Sequence, residues 1–187
     1  TSSSKAWMPN RRDIRFAPAT PADYPMLRGW LDSPHMREWW GETEHELGQI
    51  RDMVEGNDTT RPFIFHVDGE PAGYIQYWSV GDEIENGNGD AAPWLLALPR
   101  DAVGVDLSIG CADKLGRGIG TAVLRAFVAG LFSDGYTTIV IDPDESNHRA
   151  VRAYEKAGFV AYDRYQDKSG VTLLMKITPK RFAETAS

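Results

Sequence analysis

The chain has 187 residues, a formal net charge of −7 at pH 7 and one cysteine, Cys111. This length predicts a single domain, and one cysteine excludes an internal disulfide and favours a reducing, cytoplasmic location. The acidic balance argues against a nucleic-acid partner, which needs a basic surface, and suits a cationic small molecule. No run of about 18 apolar residues occurs, so no membrane span or membrane partner is expected. Monomer and homodimer both stay open.

The first third of the chain predicts a strand followed by helices. Residues 13–17 alternate apolar and polar side chains, as a half-buried strand does. Thr20 is a good N-cap and Pro21 suits the first helical position, so a helix is expected from there to about Leu31. A further helix is expected over 43–54, where apolar residues recur at helical spacing.

Two adjacent tryptophans, Trp39 and Trp40, lie in a short turn or helix between these two segments. Neighbouring side chains on a helix point about 100° apart, so one ring can be buried while the other lines a cleft. The alternative is that both rings pack in the core. The pattern of the sequence leaves both arrangements open.

A β-hairpin is predicted next. Residues 63–67 and 72–78 alternate in the manner of strands, and Asp68-Gly69 between them is a strong turn signal. Gln76 shares one face of the second strand with two aromatic side chains. Because an amide is costly to bury without a partner, we expect that face to border a ligand.

The pattern along the chain predicts one domain over 13–180. The two ends lack periodicity, so 1–12 and 181–187 are expected to be tails. Within the domain, 81–100 shows no clean period, and a loop of that length is usually functional or disordered. Trp94 argues for partial order, such as a short helix beside the site. A lid and a dimer contact are both open for this loop.

The stretch from 103 to 121 combines a strand, a glycine-rich loop and the start of a helix. In the strand, Asp106 stands on a face lined by small residues, which leaves room for a ligand beside its carboxylate. The loop Gly116-Arg117-Gly118-Ile119-Gly120 directs free backbone N–H groups to one point, where the helix dipole adds positive charge. A phosphate-bearing cofactor is therefore expected at this loop.

The elements after the loop predict a strand–helix–strand crossover. Apolar residues at i+4 steps indicate a core-facing helix, and 136–141 indicates a strand that pairs in parallel with 103–110. Asp142 lies at the carboxyl end of the second strand, where ligands bind in α/β folds. Ser146 or Asn147 is expected to cap a last helix, and a terminal hairpin follows it.

Two motifs resemble the GCN5-related N-acetyltransferase (GNAT) superfamily: the glycine loop, and the segment from Asn147 to Phe159. The order of elements is similar over nearly the whole chain. The resemblance implies an α/β fold with a mixed, mostly antiparallel sheet. Its one parallel pair would be splayed at the cofactor site, and helices would flank the sheet. It also implies an acetyl-CoA-dependent transferase.

Five segments resemble one branch of that superfamily, the aminoglycoside 6′-N-acetyltransferases. They are Glu38-Trp39-Trp40-Gly41, the hairpin from Asp68 to Gln76, Val105-Asp106, the loop from Leu115 to Thr121 and Asp142-Pro143. This branch acetylates a primary amine of a polycationic small molecule and confers antibiotic resistance. Lysine N-acyltransferases of siderophore pathways share the tryptophan pair and the style of the loop. They are one alternative, and a non-catalytic acyl-CoA-binding domain is another.

On the cofactor side, the resemblance implies that backbone groups do most of the binding. Ser108 and Ile109 would pair through their backbone with the pantetheine arm as if it were another strand, and Asn147 would hydrogen-bond the same arm. Tyr154 would lie beside the sulfur and protonate the leaving thiolate. The pyrophosphate would lie on the backbone amides of Arg117, Gly118, Ile119, Gly120 and Thr121.

On the acceptor side, the resemblance implies that Asp106 and Asp142 face the amine, with Trp40 and Gln76 on the cleft wall. Asp106 would take a proton from the ammonium directly or through water. An ordinary aspartate is a weak base, so an electrostatic role is the alternative. Transfer would be direct, in a ternary complex. No metal is expected, because the four histidines lack metal-ligand spacing.

Two departures from the aminoglycoside branch bear on the acceptor. Enzymes of this type can carry an acid next to the glycine of the terminal turn, but here that residue is Ser169, and Asp167 stands two positions earlier. The loop over 81–100 also looks longer and different. Both differences concern the identity of the substrate, whereas the class of reaction rests on the motifs above.

Overall fold

Seven strands form a single sheet in the computed structural model, which describes residues 12–186. The strand order is β1-β2-β3-β4-β5-β7-β6; β4 and β5 run parallel, and the other neighbours are antiparallel. The predicted mixed α/β sheet is therefore confirmed. The strands are β1 (Ile14–Pro18), β2 (Arg61–Val67), β3 (Glu70–Ser79), β4 (Val103–Ile109), β5 (Ile139–Ile141), β6 (Val160–Asp167) and β7 (Gly170–Ile177).

The helix boundaries follow the local signals in the sequence. Thr20 and Asp23 form a capping box just before the first helix. Gly56 and Gly158, with φ of 83° and 108°, take the left-handed conformation that ends a helix. The helices are α1 (Tyr24–Leu31), α2 (Pro34–Trp39), α3 (Thr43–Glu55), α4 (Val80–Glu85), α5 (Ile119–Ser133), α6 (His148–Ala157) and α7 (Pro179–Glu184).

Each face of the sheet carries its own hydrophobic core, and alternation along β3 divides them. Ile75 packs with the helix α5 on one face, whereas Tyr74 packs with α1 and α3 on the other. Burying one large apolar side chain contributes about 1.5–3 kcal/mol, so these two faces fix the register of β3. The predicted core stripe of α5 is buried throughout: Ile119, Val123, Phe127 and Leu131.

The parallel pair of strands separates soon after it forms. Val103 pairs with Ile139 and Gly104 with Val140, and β4 then continues to Ile109 beside an open wedge. The strand β5 ends just before Asp142-Pro143, and proline has no N–H with which to extend the ladder. The sequence predicts this strand over 136–141, and the prediction is wrong for its first three residues, because the strand begins at Ile139. The splayed parallel pair is confirmed.

The chain beyond β7 differs from the predicted tail over 181–187. Thr178 caps the helix α7, and its hydroxyl oxygen accepts the N–H of Arg181. Phe182 packs edge-on against Phe132 with 5.6 Å between ring centroids. One aromatic contact on a short helix gives little periodic signal, which is why the sequence pattern missed it. Of the predicted tail over 1–12, only the last residue is described. Among residues 12–186, no helix is long and apolar enough to cross a membrane.

Candidate active site

The open edge of β4 forms one wall of a cleft of about 380 Å³. Backbone groups alternate along a strand: the N–H of Val103 donates to Thr138 on the β5 side, and that of Gly110 donates to Ala72 on β3. By this alternation Leu107 and Ile109 present their N–H and C=O groups to the cleft, whereas the backbone of Ser108 faces β3. The backbone groups of Ser108, which were expected to face the cleft, thus bond within the sheet, and those of Leu107 face the cleft in their place.

The side chain of Ser108 does line the cleft, and its hydroxyl contacts the thioether of Met36 on α2. A second contact joins the same helix to β4, because Nε2 of His35 lies 2.8 Å from the carbonyl oxygen of Ile109. The sequence reasoning considered His35 only as a metal ligand and missed this contact. The two partners are 74 positions apart in the sequence, so no local pattern could indicate this contact.

The glycine loop has the conformation that an anion site needs. Gly116 and Gly118 adopt φ of 73° and 72°, which favours glycine, and α5 begins directly afterwards. Within α5 the N–H of Ala122 bonds back to the carbonyl of Gly118. The first N–H groups of a helix have no carbonyl behind them, so those of Ile119, Gly120 and Thr121 point out of the helix end. Arg117 is exposed at the rim.

The helix α6 forms the opposite wall of the cleft. Asn147 is its N-cap, and the side-chain Oδ1 accepts the N–H of Ala150 at 3.3 Å, which decides between the two predicted caps. The amide N–H₂ of Asn147 is left for the cleft that this residue lines. The hydroxyl of Thr121 does not face the cleft. It donates to the carbonyl of Ala153 at 3.1 Å and so links α5 to α6.

Tyr154 lies where this cleft meets a second cavity of about 290 Å³, and it lines both. Burial is the main cause that raises the pKa of its phenol, and the charges of Asp106 and Asp142 raise it further. The hydroxyl is therefore a protonated donor at neutral pH. A group of this kind can give a proton to an anion that forms beside it.

Asp106 lies on the floor of the second cavity and is held by two donors. Its Oδ2 accepts hydrogen bonds from Nε2 of Gln76 and from Nε1 of Trp78, both at 3.0 Å. Burial raises the pKa of this carboxyl and is the largest effect, while the two hydrogen bonds lower it. The sequence predicts that a ligand borders Gln76 because its amide needs a partner. In the structure, the carboxylate of Asp106 is such a partner within the protein.

The small residues beside Asp106 do not leave the empty space that the sequence analysis expects. A Cβ on Gly104 would lie 2.0 Å from the ring of Trp78, because that indole crosses β4 at the glycine to reach Asp106. A Cβ on Gly110 would meet Trp30 at 2.2 Å in the same way. Aromatic side chains of the protein occupy this room, and the cavity lies beyond them.

Asp142 faces Asp106 across the cavity, at the end of β5. Burial and the charge of Asp106 raise the pKa of Asp142 well above the ordinary range. Glu46, from α3, lines the same cavity, and its pKa is raised mainly by burial. Two or three carboxylates facing one cavity strongly favour a cationic occupant.

A larger cavity of about 570 Å³ continues from Gln76, Asp106 and Asp142. The loop over 81–100 forms its wall as α4 and a short 3₁₀ helix at Pro93–Ala97, so this loop is ordered beside the site. Trp94 is predicted to be ordered there, but no local pattern distinguishes the acids beside it from ordinary solvated surface residues. The missed acidic residues that line this cavity are Asp52, Asp58 and Glu83.

The two tryptophans are not buried together in the core. Trp39 is 41% exposed, and Trp40 packs edge-on against Tyr74 with ring centroids 5.6 Å apart. Both rings line the cleft and the second cavity. This placement excludes the alternative in which both rings pack in the core. No cluster of three or more His, Cys, Asp or Glu side chains suited to a metal occurs in residues 12–186.

The hairpin turn that carries Ser169 does not leave the site without an acid. Asp167 uses its Oδ1 to accept from Ser169 within the turn. Asp144, from the loop after β5, lines the second cavity and brings its Oδ2 to 3.4 Å from the Cβ position of Gly170. A carboxylate thus reaches the turn from another segment, which no local pattern could predict.

Comparison with known proteins places this geometry in a family. A family model described as "Acetyltransferase (GNAT) domain" matches residues 19–166. The chain is 35% identical over 175 residues to the aminoglycoside N(6′)-acetyltransferase type 1 of Klebsiella pneumoniae, covering 90% of this chain and 84% of that protein. It is 32% identical over 152 residues to the lysine N-acyltransferase MbtK of Mycobacterium tuberculosis, covering 78% and 67%.

The fold is also similar to solved structures of this group. The crystal structure of aminoglycoside acetyltransferase AAC(6′)-Ib in complex with coenzyme A and kanamycin superposes with a TM-score of 0.78 at 32% identity. The match covers 94% of this chain and 100% of that one. That structure contains both coenzyme A and kanamycin.

Proposed function

The chain belongs to the GNAT acetyltransferase family, and we propose that it transfers the acetyl group of acetyl-CoA to the 6′-amine of an aminoglycoside. The observation that carries this proposal is the junction at Tyr154. There a cleft with a free strand edge meets a cavity lined by Asp106 and Asp142. The first suits a thioester on an extended arm, and the second suits a cationic amine.

The cofactor side of the proposal rests on backbone groups. The backbone N–H and C=O of Leu107 and the N–H of Ile109 are offered to the pantetheine arm, whose other partner is the amide N–H₂ group of Asn147; the Ile109 carbonyl is already in contact with His35. The N–H groups of 119–121 face the place for the pyrophosphate at the start of α5. Acetyl-CoA, as the second substrate, supplies the activated acetyl group, and no further cofactor is needed for acyl transfer.

The proposed reaction is a direct transfer in the ternary complex. Asp106 and Asp142 bind the ammonium, and Asp106 takes its proton directly or through water. The neutral nitrogen then forms a bond to the thioester carbonyl carbon, and the carbon–sulfur bond breaks. Tyr154 gives its phenolic proton to the leaving thiolate. The second proton that the nitrogen loses as the amide forms returns to the phenolate through solvent, so the net proton released is the one that Asp106 took.

The acceptor is proposed to be a polycation because the negative lining extends beyond the reaction centre. Asp52, Asp58 and Glu83 continue it into the larger cavity. A lysine-type acceptor presents one ammonium at the reaction centre and would leave these distant acids without a cationic partner. The similarity to MbtK keeps the lysine N-acyltransferase as the second candidate. A non-catalytic acyl-CoA-binding domain does not account for the paired carboxylates beside Tyr154.

The deciding experiment follows thiol release by the purified protein with acetyl-CoA and a panel of amines. Aminoglycosides with a 6′-amine should be turned over, and matched ones with a 6′-hydroxyl should not. NMR of the product should place the acetyl group on the 6′-nitrogen. Turnover of lysine-like amines with none of any aminoglycoside would move the assignment to the second candidate.

A further inference from the structure

Tyr74 is a buried tyrosine whose hydroxyl leads to the proposed reaction centre. Its side chain is 1% exposed, and it packs between β3 and the α1–α3 face of the sheet. The hydroxyl donates a hydrogen bond of 2.6 Å to Oε1 of Gln76. The sulfur of Met53 lies 3.6 Å away, but a thioether is a weak acceptor and the amide oxygen takes the proton.

The direction of the Gln76 amide follows from its two neighbours. Its N–H₂ end donates to Oδ2 of Asp106 at 3.0 Å, and its oxygen end accepts from Tyr74. If the amide were turned round, its oxygen would face a carboxylate oxygen, and two acceptors would meet. Without the Tyr74 hydroxyl, the amide oxygen would lose the one donor that it has among the described residues, and only the N–H₂ end would still hold the amide in place.

The carboxylate at the end of this chain is fixed on one side only. Oδ2 of Asp106 accepts from Gln76 and from Trp78, whereas Oδ1 accepts no hydrogen bond from any described residue. Asp106 lines both cavities of the acceptor side. The two donors thus turn one oxygen toward the protein and leave the other for an incoming amine.

We propose that Tyr74 is a positioning residue for the transfer, because it orients the Gln76 amide and through it holds Asp106 with Oδ1 open to the acceptor. This inference rests on the proposed function and deepens it. Tyr74 touches neither substrate; it acts through a chain of three side chains from the core to the cavity floor. Gln76, which the sequence analysis assigns only to the cleft wall, becomes the link between them.

The electrostatics around Asp106 make each donor matter. The titratable groups that interact with this carboxyl come from five segments: Glu46 on α3, Tyr74 on β3, Glu83 on α4, Asp142 after β5 and Tyr154 on α6. The three carboxyl groups among them oppose a further negative charge. Against them and against burial stand the hydrogen bonds from Gln76 and Trp78. Loss of one donor should therefore raise the pKa of Asp106 further.

The test is the variant Tyr74→Phe, with Tyr77→Phe as the matched control on the opposite face of β3. In Tyr74→Phe the acidic limb of the pH profile of acceptor kcat/KM should move to higher pH. Activity at neutral pH should fall about tenfold, the scale of a hydrogen bond to a charged group. The KM for acetyl-CoA should stay unchanged, and Tyr77→Phe should match the unmodified protein in all three. An unshifted limb in a folded Tyr74→Phe would overturn the proposal.

A second variant keeps the test decisive if Tyr74→Phe does not fold. Gln76→Leu should shift the acidic limb in the same direction, and adding Tyr74→Phe to it should shift the limb no further. Independent shifts from the two changes would contradict a route through Gln76. NMR of ¹³C-labelled aspartate carboxyls reads the Asp106 pKa without turnover. If Tyr74→Phe raises the pKa of Asp106 but the unmodified protein acetylates no amine, the hydrogen-bond network would be supported and the proposed function would be wrong.

Discussion

The cofactor cleft and the acceptor cavities meet at Tyr154, yet they are built from different parts of the chain. The cleft is made of backbone: the free edge of β4 and the N–H groups at the start of α5. The acceptor side is made of carboxylates: Asp106 lies on β4, Asp142 follows the end of β5, and Glu46 lies on α3. The first kind of site depends on chain conformation, and the second depends on individual charged side chains.

The two regions also differ in what they cost the folded protein. A helix N-terminus and a free strand edge are satisfied by water until a ligand arrives. Facing carboxylates repel one another, and burial raises the pKa of both Asp106 and Asp142. The acceptor side is therefore strained electrostatically until a cation binds. Changes in the two regions should affect different substrates and have opposite effects on stability.

The largest effect is expected from Asp106→Asn, which keeps the shape of the side chain and removes its charge. A positioned proton acceptor is worth about 10²- to 10⁴-fold in rate, so acceptor kcat/KM should fall by that order. The measurement is initial-rate kinetics at saturating acetyl-CoA, with acetyl-CoA binding by calorimetry as the control. Full activity would show that another group accepts the proton.

Next in size is Tyr154→Phe, the change at the junction of the two regions. Loss of the proton donor should lower kcat about 10²-fold and leave the affinity for both substrates within a few-fold. Since burial raises the pKa of the phenol, the unmodified enzyme should keep its rate through the alkaline range in which an ordinary tyrosine ionises. A fall in rate near pH 10, the ordinary tyrosine pKa, would contradict this assignment.

A trade of function against stability is expected from Asp142→Asn. Removing one of two facing charges should raise the KM for the acceptor about tenfold and raise Tm by about 2–4 °C, which corresponds to roughly 1 kcal/mol in a chain of this size. Because the folded-state pKa of Asp142 lies above its unfolded value, the penalty is present at neutral pH and vanishes at acid pH.

The pH dependence supplies the control for that variant. Below the ordinary carboxyl pKa the group is protonated in both states, so the two proteins should melt alike there. The advantage of Asp142→Asn should grow as the pH rises through the folded-state pKa. Differential scanning calorimetry from acid to neutral pH measures it. A lower Tm for the variant at neutral pH would show that Asp142 is stabilised by an interaction of its own.

The smallest effect is expected on the cofactor side, from Gly118→Ala. With φ of 72° an alanine costs about 1–2 kcal/mol, while the nearest atom to its Cβ is Nη1 of Arg12 at 3.8 Å, an ordinary contact. The KM for acetyl-CoA should rise a few-fold, and the acceptor KM should stay constant. Gly130→Ala in the helix α5 is the control, since a Cβ there meets no atom within 4 Å and alanine favours a helix. An equal effect of both would remove the conformational argument.

What the sequence predicted well depends on neighbours along the chain. Caps, tight turns and glycine loops depend on contacts within a few residues, so the local sequence determines their geometry. Examples are the caps at Thr20 and Asn147, the turn at Asp68-Gly69 and the glycine loop. The alternation of β3 placed Gln76 on the ligand side for the same reason. The core stripe of α5 needed only the helical period.

What the sequence could not decide depends on contacts between distant segments. Only the pairing of β4 shows that Leu107, and not Ser108, turns its backbone to the cleft. The gap beside Asp106 looked empty because the pattern does not show that Trp78 crosses Gly104 to fill it. Asp52, Asp58 and Glu83 carry no local signal of a site, and only the fold brings them to one cavity.

The sequence by itself therefore predicted the individual strands, the strand–helix–strand crossover and the glycine loop, since backbone conformation and periodicity are local properties. Its resemblance to the GNAT superfamily implied the mixed sheet and the roles of Asp106 and Tyr154. The tertiary structure alone decided how Asp106 is held, which oxygen is free and how far the negative lining extends. Those properties depend on burial and on hydrogen bonds across the sheet. Their energies come from partners that lie far apart in the chain and adjoin only in the folded state.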